Sequence, residues 1–277
     1  MTTTLPATAI LGAGSMGGAI LAGLLRPGVT VEGGIRVTNR TEVKARAVRH
    51  GDVTSLSIET DPRANASAVT GAGIVLIGVK PYLVGDLLRE IAPALEKGTI
   101  VVSLAAGITI ESLEDALPEH VVVLRSMPNT PSLVGLGVTG LAAGSRSSDA
   151  DLALVRSLFA CVGEVITIPE EKIDALSTIS GSGPAYVFYL IEELTRTAVD
   201  LGFTEHQARV MVQGTFRGAS ELLAHDVVAP EELRRRVTSP NGTTERAVEV
   251  LQAGDLKGLF DRAAAAALAR AKEIAGE

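Results

Sequence analysis

A chain of 277 residues with 46% hydrophobic and 21% charged side chains can bury one large core or two ordinary ones without disulfide or metal staples. Its net charge of −7 argues against a nucleic-acid partner, which asks for a basic face, and its single cysteine excludes an internal disulfide. Residues 1–6 lack the basic and apolar stretches of a secretory signal, and no uncharged apolar run reaches the ~18 residues of a membrane span, so the expected setting is the cytoplasm.

Residues 8–11 form an apolar strand that ends in Gly12-Ala13-Gly14-Ser15-Met16-Gly17, a G-x-G-x-x-G run. Ala19, Ile20, Ala22, Leu24 and Leu25 then supply the apolar face of a helix. In this strand, loop and helix, Gly12 makes the tight turn, Gly14 lets backbone N–H groups approach a pyrophosphate, and Gly17 lets the helix pack closely on the strand. The helix N-terminus adds free amides and partial positive charge. An ordinary tight turn is the competing reading.

Arg26-Pro27-Gly28 stops the helix, and a second strand over 35–38 leads to Asn39-Arg40-Thr41. Sites for NAD place an acid at this strand end to accept from the ribose 2′-hydroxyl, whereas a 2′-phosphate wants cations and donors. Asn39, Arg40 and Thr41 fit NADP. Lys44, a turn beyond Thr41, either adds charge or is merely solvated surface.

The apolar run 73–79 is continuous, as in a parallel strand covered on both faces, and delivers Lys80-Pro81 to the ligand side of an open sheet. Residues 99–104 repeat the pattern and end in Ala105-Ala106-Gly107, small enough for a flat ring to lie against the backbone. Residues 121–124 run into Arg125-Ser126-Met127-Pro128-Asn129-Thr130-Pro131, a loop stiffened by its prolines. Short strands follow at 138–142 and 165–168. Strands alternating with helices predict an α/β fold, a doubly wound parallel sheet up to residue 168.

Beyond Pro169 the apolar period becomes 3.6. A helix opens at Gly183-Pro184, is apolar around most of its circumference over 186–201, and closes at Gly202, so it is expected to be buried. Thr204 and Gln207 form a capping box for a helix over 205–224, and residues 256–275 make an alanine-rich one. Such helices lack a sheet to cover them, which points to a dimer with helices exchanged between subunits; a compact bundle resting on the sheet domain is the alternative. His50, His120, His206 and His225 show no metal-ligand spacing and flank no nucleophile, so neither a metal site nor a hydrolase is expected. Cys161, among apolar neighbours, reads as a small buried hydrophobe.

Ser180-Gly181-Ser182-Gly183-Pro184-Ala185-Tyr186 and Val237-Thr238-Ser239-Pro240-Asn241-Gly242-Thr243-Thr244 are hydroxyl-rich loops, each placed just before a helix. Backbone N–H groups at Gly242, Thr243 and Thr244 would cradle a carboxylate, although helix capping alone explains the same composition.

In this order, G-A-G-S-M-G, V-K-P, S-L-A-A-G, M-P-N-T-P, S-G-S-G-P-A-Y and T-S-P-N-G-T-T resemble the pyrroline-5-carboxylate reductase family over essentially the whole chain. The first motif is generic to dinucleotide binders, and the last two are specific. The resemblance implies a Rossmann domain over 1–168 and an all-α dimerisation and substrate domain over 169–277, in homodimers that assemble into rings. It implies NADPH, preferred over NADH, and reduction of 1-pyrroline-5-carboxylate to L-proline, the last step of proline biosynthesis. Leu11, Gly12, Ala13, Gly14, Ser15, Met16, Asn39, Arg40, Asn65, Val79, Lys80 and Ala105 then match cofactor contacts. Glu170, Ser239, Gly242, Thr243 and Thr244 match substrate positions, with Thr244 as hydrogen-bond donor to the imine nitrogen. Asn241 departs from the family's usual Gly, and Asn tolerates left-handed backbone better than other residues with a side chain. Two alternatives stay open: a reductase of another small imine or β-hydroxyacid, the latter wanting a Lys that 186–201 lacks, or a dinucleotide-binding regulatory protein without turnover.

Overall fold

Short runs of Ile, Val and Leu, bounded by Gly, Pro and polar residues, become strands hidden on both faces. The computed structural model describes residues 3–226 and 228–275. Its strands are β1 (Thr3–Leu5), β2 (Thr8–Leu11), β3 (Val29–Val31), β4 (Ile35–Asn39), β5 (Val53–Ser57), β6 (Ile74–Ile77), β7 (Ile100–Ser103), β8 (Val122–Met127), β9 (Gly137–Ala143) and β10 (Gly163–Thr167). Every residue of β2, β6 and β7 is buried. Between the strands run α1 (Ser15–Leu24), α2 (Glu42–Ala47), α3 (Ala64–Val69), α4 (Val84–Ile91), α5 (Ile110–Ala116) and α6 (Asp149–Ala160).

β1 and β3 form a small parallel pair, and the remaining strands form one eight-stranded sheet in the order β10-β9-β8-β7-β6-β2-β4-β5. From β5 to β8 all neighbours are parallel. Alternate residues feed opposite faces. Ala9, Leu11, Val75 and Ile77 pack with α3, α4 and α5, while Ile10, Ile74 and Leu76 pack with α1 and α6. The sheet is thus doubly wound, but not wholly parallel: β9 runs antiparallel to β8, and β10 is parallel to β9. A parallel return needs a crossover of a dozen or more residues, and only a short 3₁₀ turn at Thr130–Val134 joins β8 to β9. Gly135, at φ +77°, completes the reversal.

After β10 come α7 (Ile173–Leu176) and a π turn at Ser177–Gly181, and then the helices α8 (Gly183–Asp200), α9 (Glu205–Asp226), α10 (Pro230–Arg236), α11 (Thr243–Ala253) and α12 (Leu256–Ala275). The chain divides into two compact units. One runs up to Ser182 and resumes at Ala267, and the other is Gly183–Ala266. In the second unit the capping box forms, with Thr204 N–H donating to Gln207 Oε1 (3.0 Å) and Gln207 N–H to Thr204 Oγ1 (3.3 Å). The burial expected for the first long helix is not met within one chain. Of α8 only Ala198 is buried, while Val187, Phe188, Tyr189 and Leu190 are 41–65% exposed.

A Cβ on Gly78 would stand 2.6 Å from the carbonyl oxygen of Gly12 and 3.3 Å from that of Leu11, both backbone atoms that cannot step aside. Gly78→Ala is expected to cost about 1–3 kcal/mol, the usual scale of overpacking, seen as a lower urea midpoint. Gly18→Ala adds a methyl that meets nothing within 4 Å and should leave the midpoint unchanged or raise it.

Candidate active site

Strand register brings the functional loops to one edge. Leu56, Thr38, Leu11, Ile77, Ser103 and Arg125 lie in one row across the sheet, each paired with the next. Hence Asn39-Arg40, Gly12–Met16, Val79-Lys80 and Ala105 all leave the carboxyl edge together. The strand order reverses between β2 and β6, which is where open α/β sheets bind ligands.

Gly12 turns at φ +88°, and a Cβ there would meet Val79 Cγ1 at 3.0 Å and the Gly78 carbonyl at 3.1 Å. The amides of Gly12 and Ala13 donate to the Thr38 carbonyl at 3.0 and 3.2 Å, and Gly14 N–H donates to Gly12 O at 2.9 Å. The first helical bond of α1 runs from Gly18 N–H to Gly14 O (2.8 Å), so the amides of Ser15, Met16 and Gly17 precede it without intrahelical acceptors. A Cβ on Gly14 would meet nothing within 4 Å, whereas one on Gly17 would meet Gly12 O at 2.9 Å. Open space above unpaired amides at the start of α1 fits a pyrophosphate.

At the end of β4, Asn39 is buried, and among the described residues its Nδ2 has no partner; the hydroxyl of Ser57, its register neighbour on β5, has none there either. Arg40 is exposed, and among the described residues it forms no ion pair. Thr41 Oγ1 caps α2 by accepting from Lys44 N–H (3.5 Å). Glu59, which sequence reasoning missed, accepts from Glu42 N–H through Oε2 (2.8 Å). Hydrogen bonding to Arg46, with the charges of Arg49 and Arg46, holds the Glu42 carboxyl below its ordinary range. Asn65 is buried on α3 and donates to Glu90 Oε2 (3.1 Å). Lys80 is exposed at the start of the turn Pro81–Leu83, and Ala105 is buried with its amide on Ser103 Oγ (3.2 Å).

Glu170 is engaged. Its Oε1 accepts from Arg125 Nη1 (3.2 Å) and from the first amide of α5, at Ile110 (2.7 Å), while Asp174 Oδ1 takes Arg125 Nη2 (2.7 Å). Arg125, Glu170 and Asp174 line a cavity of about 490 Å³ together with Gly107, Thr109 and Lys272. Sequence reasoning missed Arg125 and Asp174 as partners of Glu170, although an Arg set among Val and Leu in β8 was the available signal. Asn129 joins two motifs, with Nδ2 donating to Ser180 O (2.9 Å) and Oδ1 accepting from Val138 N–H (2.8 Å). Burial pushes the Cys161 thiol up, which suits an inert side chain.

Ser239, Gly242, Thr243 and Thr244 belong to the second unit. Asn241 takes the left-handed conformation at φ +56°, and its amide donates to Glu245 Oε2 (2.8 Å). Gly242 N–H is spent on Ser239 O (3.0 Å), which leaves the amides of Thr243 and Thr244 ahead of the first bond of α11, from Arg246 N–H to Gly242 O (3.4 Å). Both threonines are exposed. Among the described residues no helix is long and apolar enough to cross a membrane.

A glycine loop at the switch point of a doubly wound sheet, with Arg40 and Lys44 exposed beside the end of β4, defines a dinucleotide-binding protein of the Rossmann class. Residues 7–107 match the family model for NADP oxidoreductases, coenzyme F420-dependent, and residues 170–274 match the model for pyrroline-5-carboxylate reductase dimerisation. A pyrroline-5-carboxylate reductase of Pseudomonas aeruginosa is 38% identical over 271 residues, covering 98% of this chain and 97% of its own. The solved pyrroline-5-carboxylate reductase of Coxiella burnetii is 35% identical with a TM-score of 0.88, over 96% of this chain and 97% of that one. The Plasmodium falciparum pyrroline carboxylate reductase, solved with NADP bound, shares the fold at 24% identity and a TM-score of 0.81, over 97% of each chain. The chain belongs to the pyrroline-5-carboxylate reductase family.

Gly14 has an ordinary φ of −71° and an open Cβ position, so Gly14→Ala should fold normally. Its methyl would project into the open space beside the loop, and the Kd for NADPH, read by fluorescence titration, is expected to weaken by about tenfold or more, roughly 1.4 kcal/mol.

Proposed function

We propose that the protein reduces 1-pyrroline-5-carboxylate to L-proline with NADPH, the last step of proline biosynthesis, in the cytoplasm. The observation that carries this is the T-S-P-N-G-T-T turn. Its one departure from the family, Asn241, adopts the left-handed backbone that a Gly would supply, so the loop keeps its form. When bound, NADPH supplies a hydride to the C=N carbon. The protein's own part is placement and dipoles.

In this reading the amides of Ser15 to Gly17 hold the pyrophosphate, Asn39 and Arg40 receive the 2′-phosphate, and Asn65, Val79, Lys80 and Ala105 border the cofactor. The amides of Thr243 and Thr244, with Ser239, hold the substrate carboxylate. The Thr244 hydroxyl donates to the ring nitrogen, which gains electron density as hydride arrives, so a donor already aimed there favours the transition state over the ground state. Glu170 acts on the substrate side through the segment it fixes with Arg125. The functional division we infer is residues 1–168 for the cofactor and 169–277 for dimerisation and substrate.

The same reading makes the helical unit the seat of a homodimer, and of rings of dimers beyond it. Support comes from the uncovered Val187, Phe188, Tyr189 and Leu190, and from a groove of about 740 Å³ between α8 and α9 lined by Val187, Phe188, Ile191 and Phe216.

NADPH consumption that depends on added 1-pyrroline-5-carboxylate, with proline as product, tests the activity. NADPH binding without turnover would favour the regulatory alternative. Thr244→Ala should lower kcat by about 10²–10³ while leaving the Kd for NADPH unchanged, and Thr244→Ser should keep much of the rate; a near-normal kcat in Thr244→Ala would reduce this loop to a carboxylate clamp. Phe188→Glu should convert the dimer to monomer by light scattering and abolish activity, and a fully active wild-type monomer at micromolar concentration would overturn the dimer.

A further inference from the structure

The adenosine end of the cofactor site holds an acid that the mechanism above does not use. β4 and β5 pair in register to Asn39 and Ser57, and the backbone pairing continues past the strand ends, with Ile58 N–H on Asn39 O (3.0 Å) and Glu59 N–H on Arg40 O (3.2 Å). Glu59 is therefore fixed beside Arg40, and its carboxylate turns onto the amide of Glu42 (2.8 Å), the residue after Thr41. The neighbouring charges differ in how they are balanced. Glu42 is neutralised by Arg46 (2.9 Å) and Arg49 (3.1 Å). Arg40 and Lys44 are exposed, and among the described residues neither they nor Glu59 form an ion pair. Glu59 is thus tied to Arg40 through the backbone, and among the described residues its carboxylate is met by the amide of Glu42 and by no cation.

We propose that Glu59 is a specificity-determining residue that restrains the preference for NADPH and keeps NADH usable. A 2′-phosphate received by Arg40 brings about two negative charges toward a carboxylate that backbone pairing holds in place. A 2′-hydroxyl brings none, and finds in that carboxylate the kind of acceptor that NAD sites offer. One side chain therefore acts in opposite senses on the two cofactors. Sequence alone shows no acid among Asn39, Arg40 and Thr41 at the end of β4, and the nearby Glu42 is taken up by Arg46 and Arg49; Glu59 arrives instead from the next strand. The assignment rests on the reading of Asn39 and Arg40 as the 2′-phosphate side.

Glu59→Gln removes the charge and keeps an oxygen to accept from Glu42 N–H, so the start of α2 retains its partner. The test measures Kd for NADPH and for NADH by fluorescence titration without substrate, on the wild-type protein, Glu59→Gln and Arg40→Ala, at low and high salt. Glu59→Gln is expected to tighten NADPH by about fivefold, the upper scale of an exposed charge pair, while NADH stays level or weakens. The gain should shrink as salt screens it. Kd values that are unchanged, or shifted equally for both cofactors, overturn the proposal. In that event Arg40→Ala separates the two assignments: loss of the NADPH advantage removes Glu59 alone, and an unchanged advantage removes the 2′-phosphate reading with it.

Discussion

The contact on which the nucleotide-binding unit depends is backbone against backbone, where the carboxyl ends of β2 and β6 meet the start of α1. Gly78, Gly12 and Gly17 stack so closely that a methyl on Gly78 or Gly17 would come within 3 Å of the Gly12 carbonyl. This approach cannot be bought with side-chain rearrangement, since the opposing atoms are peptide groups. It sets the start of α1 directly over the sheet edge, and with it the unpaired amides of Ser15, Met16 and Gly17. Fold and anion site are therefore one constraint: what seats the helix also aims its dipole.

A second constraint is electrostatic. Arg125 has a side chain only 5% exposed, while its partners Glu170 and Asp174 keep 29% and 26% of theirs in contact with water. Burying a guanidinium costs several kcal/mol unless it is paired, and the carboxylates recover that only while both stay in place. The cluster fixes geometry more than it adds stability. It ties β8, the first amide of α5 and the segment 170–174 to one buried charge. A substrate-side role for Glu170 is then indirect, because the oxygen Oε1 already accepts from both Arg125 and Ile110.

Much of the sheet was legible because many of its strands carry apolar runs, as β2, β6, β7 and the start of β8 do, while β4 shows itself by alternation. β5 was not legible, since Val53-Thr54-Ser55-Leu56-Ser57 is broken up by hydroxyls, of which Ser55 and Ser57 are buried in the structure while Thr54 faces water. The direction of β9 was equally hidden. Its composition suits either sense, and only the length of the turn before it decides. Site residues divide in the same way. Loops that carry their own glycines and prolines could be read locally, whereas Glu59, Arg125 and Asp174 are held by partners distant in sequence, and a linear pattern holds no record of such pairings. Gly242 shows the converse, a loop read correctly as hydroxyl-rich but with one amide turned inward to Ser239.

The helical unit poses a problem that one chain leaves open. Val187, Phe188, Tyr189 and Leu190 on α8, Val210 and Met211 on α9, and Leu259 and Phe260 on α12 are all 40% or more exposed. Covering a side chain of this size gains about 1.5–3 kcal/mol, so a handful of them offsets the ~4–15 kcal/mol cost of bringing two molecules together. Within the first unit the two faces of the sheet are already filled by its own helices α1, α3, α4, α5 and α6. A second copy of the same helices has no such conflict, and it presents an apolar stripe of matching kind. In the homodimer proposed above, the stability of the helical unit would depend on protein concentration, and the loop that carries Thr244, between α10 and α11 of that unit, would inherit the same dependence.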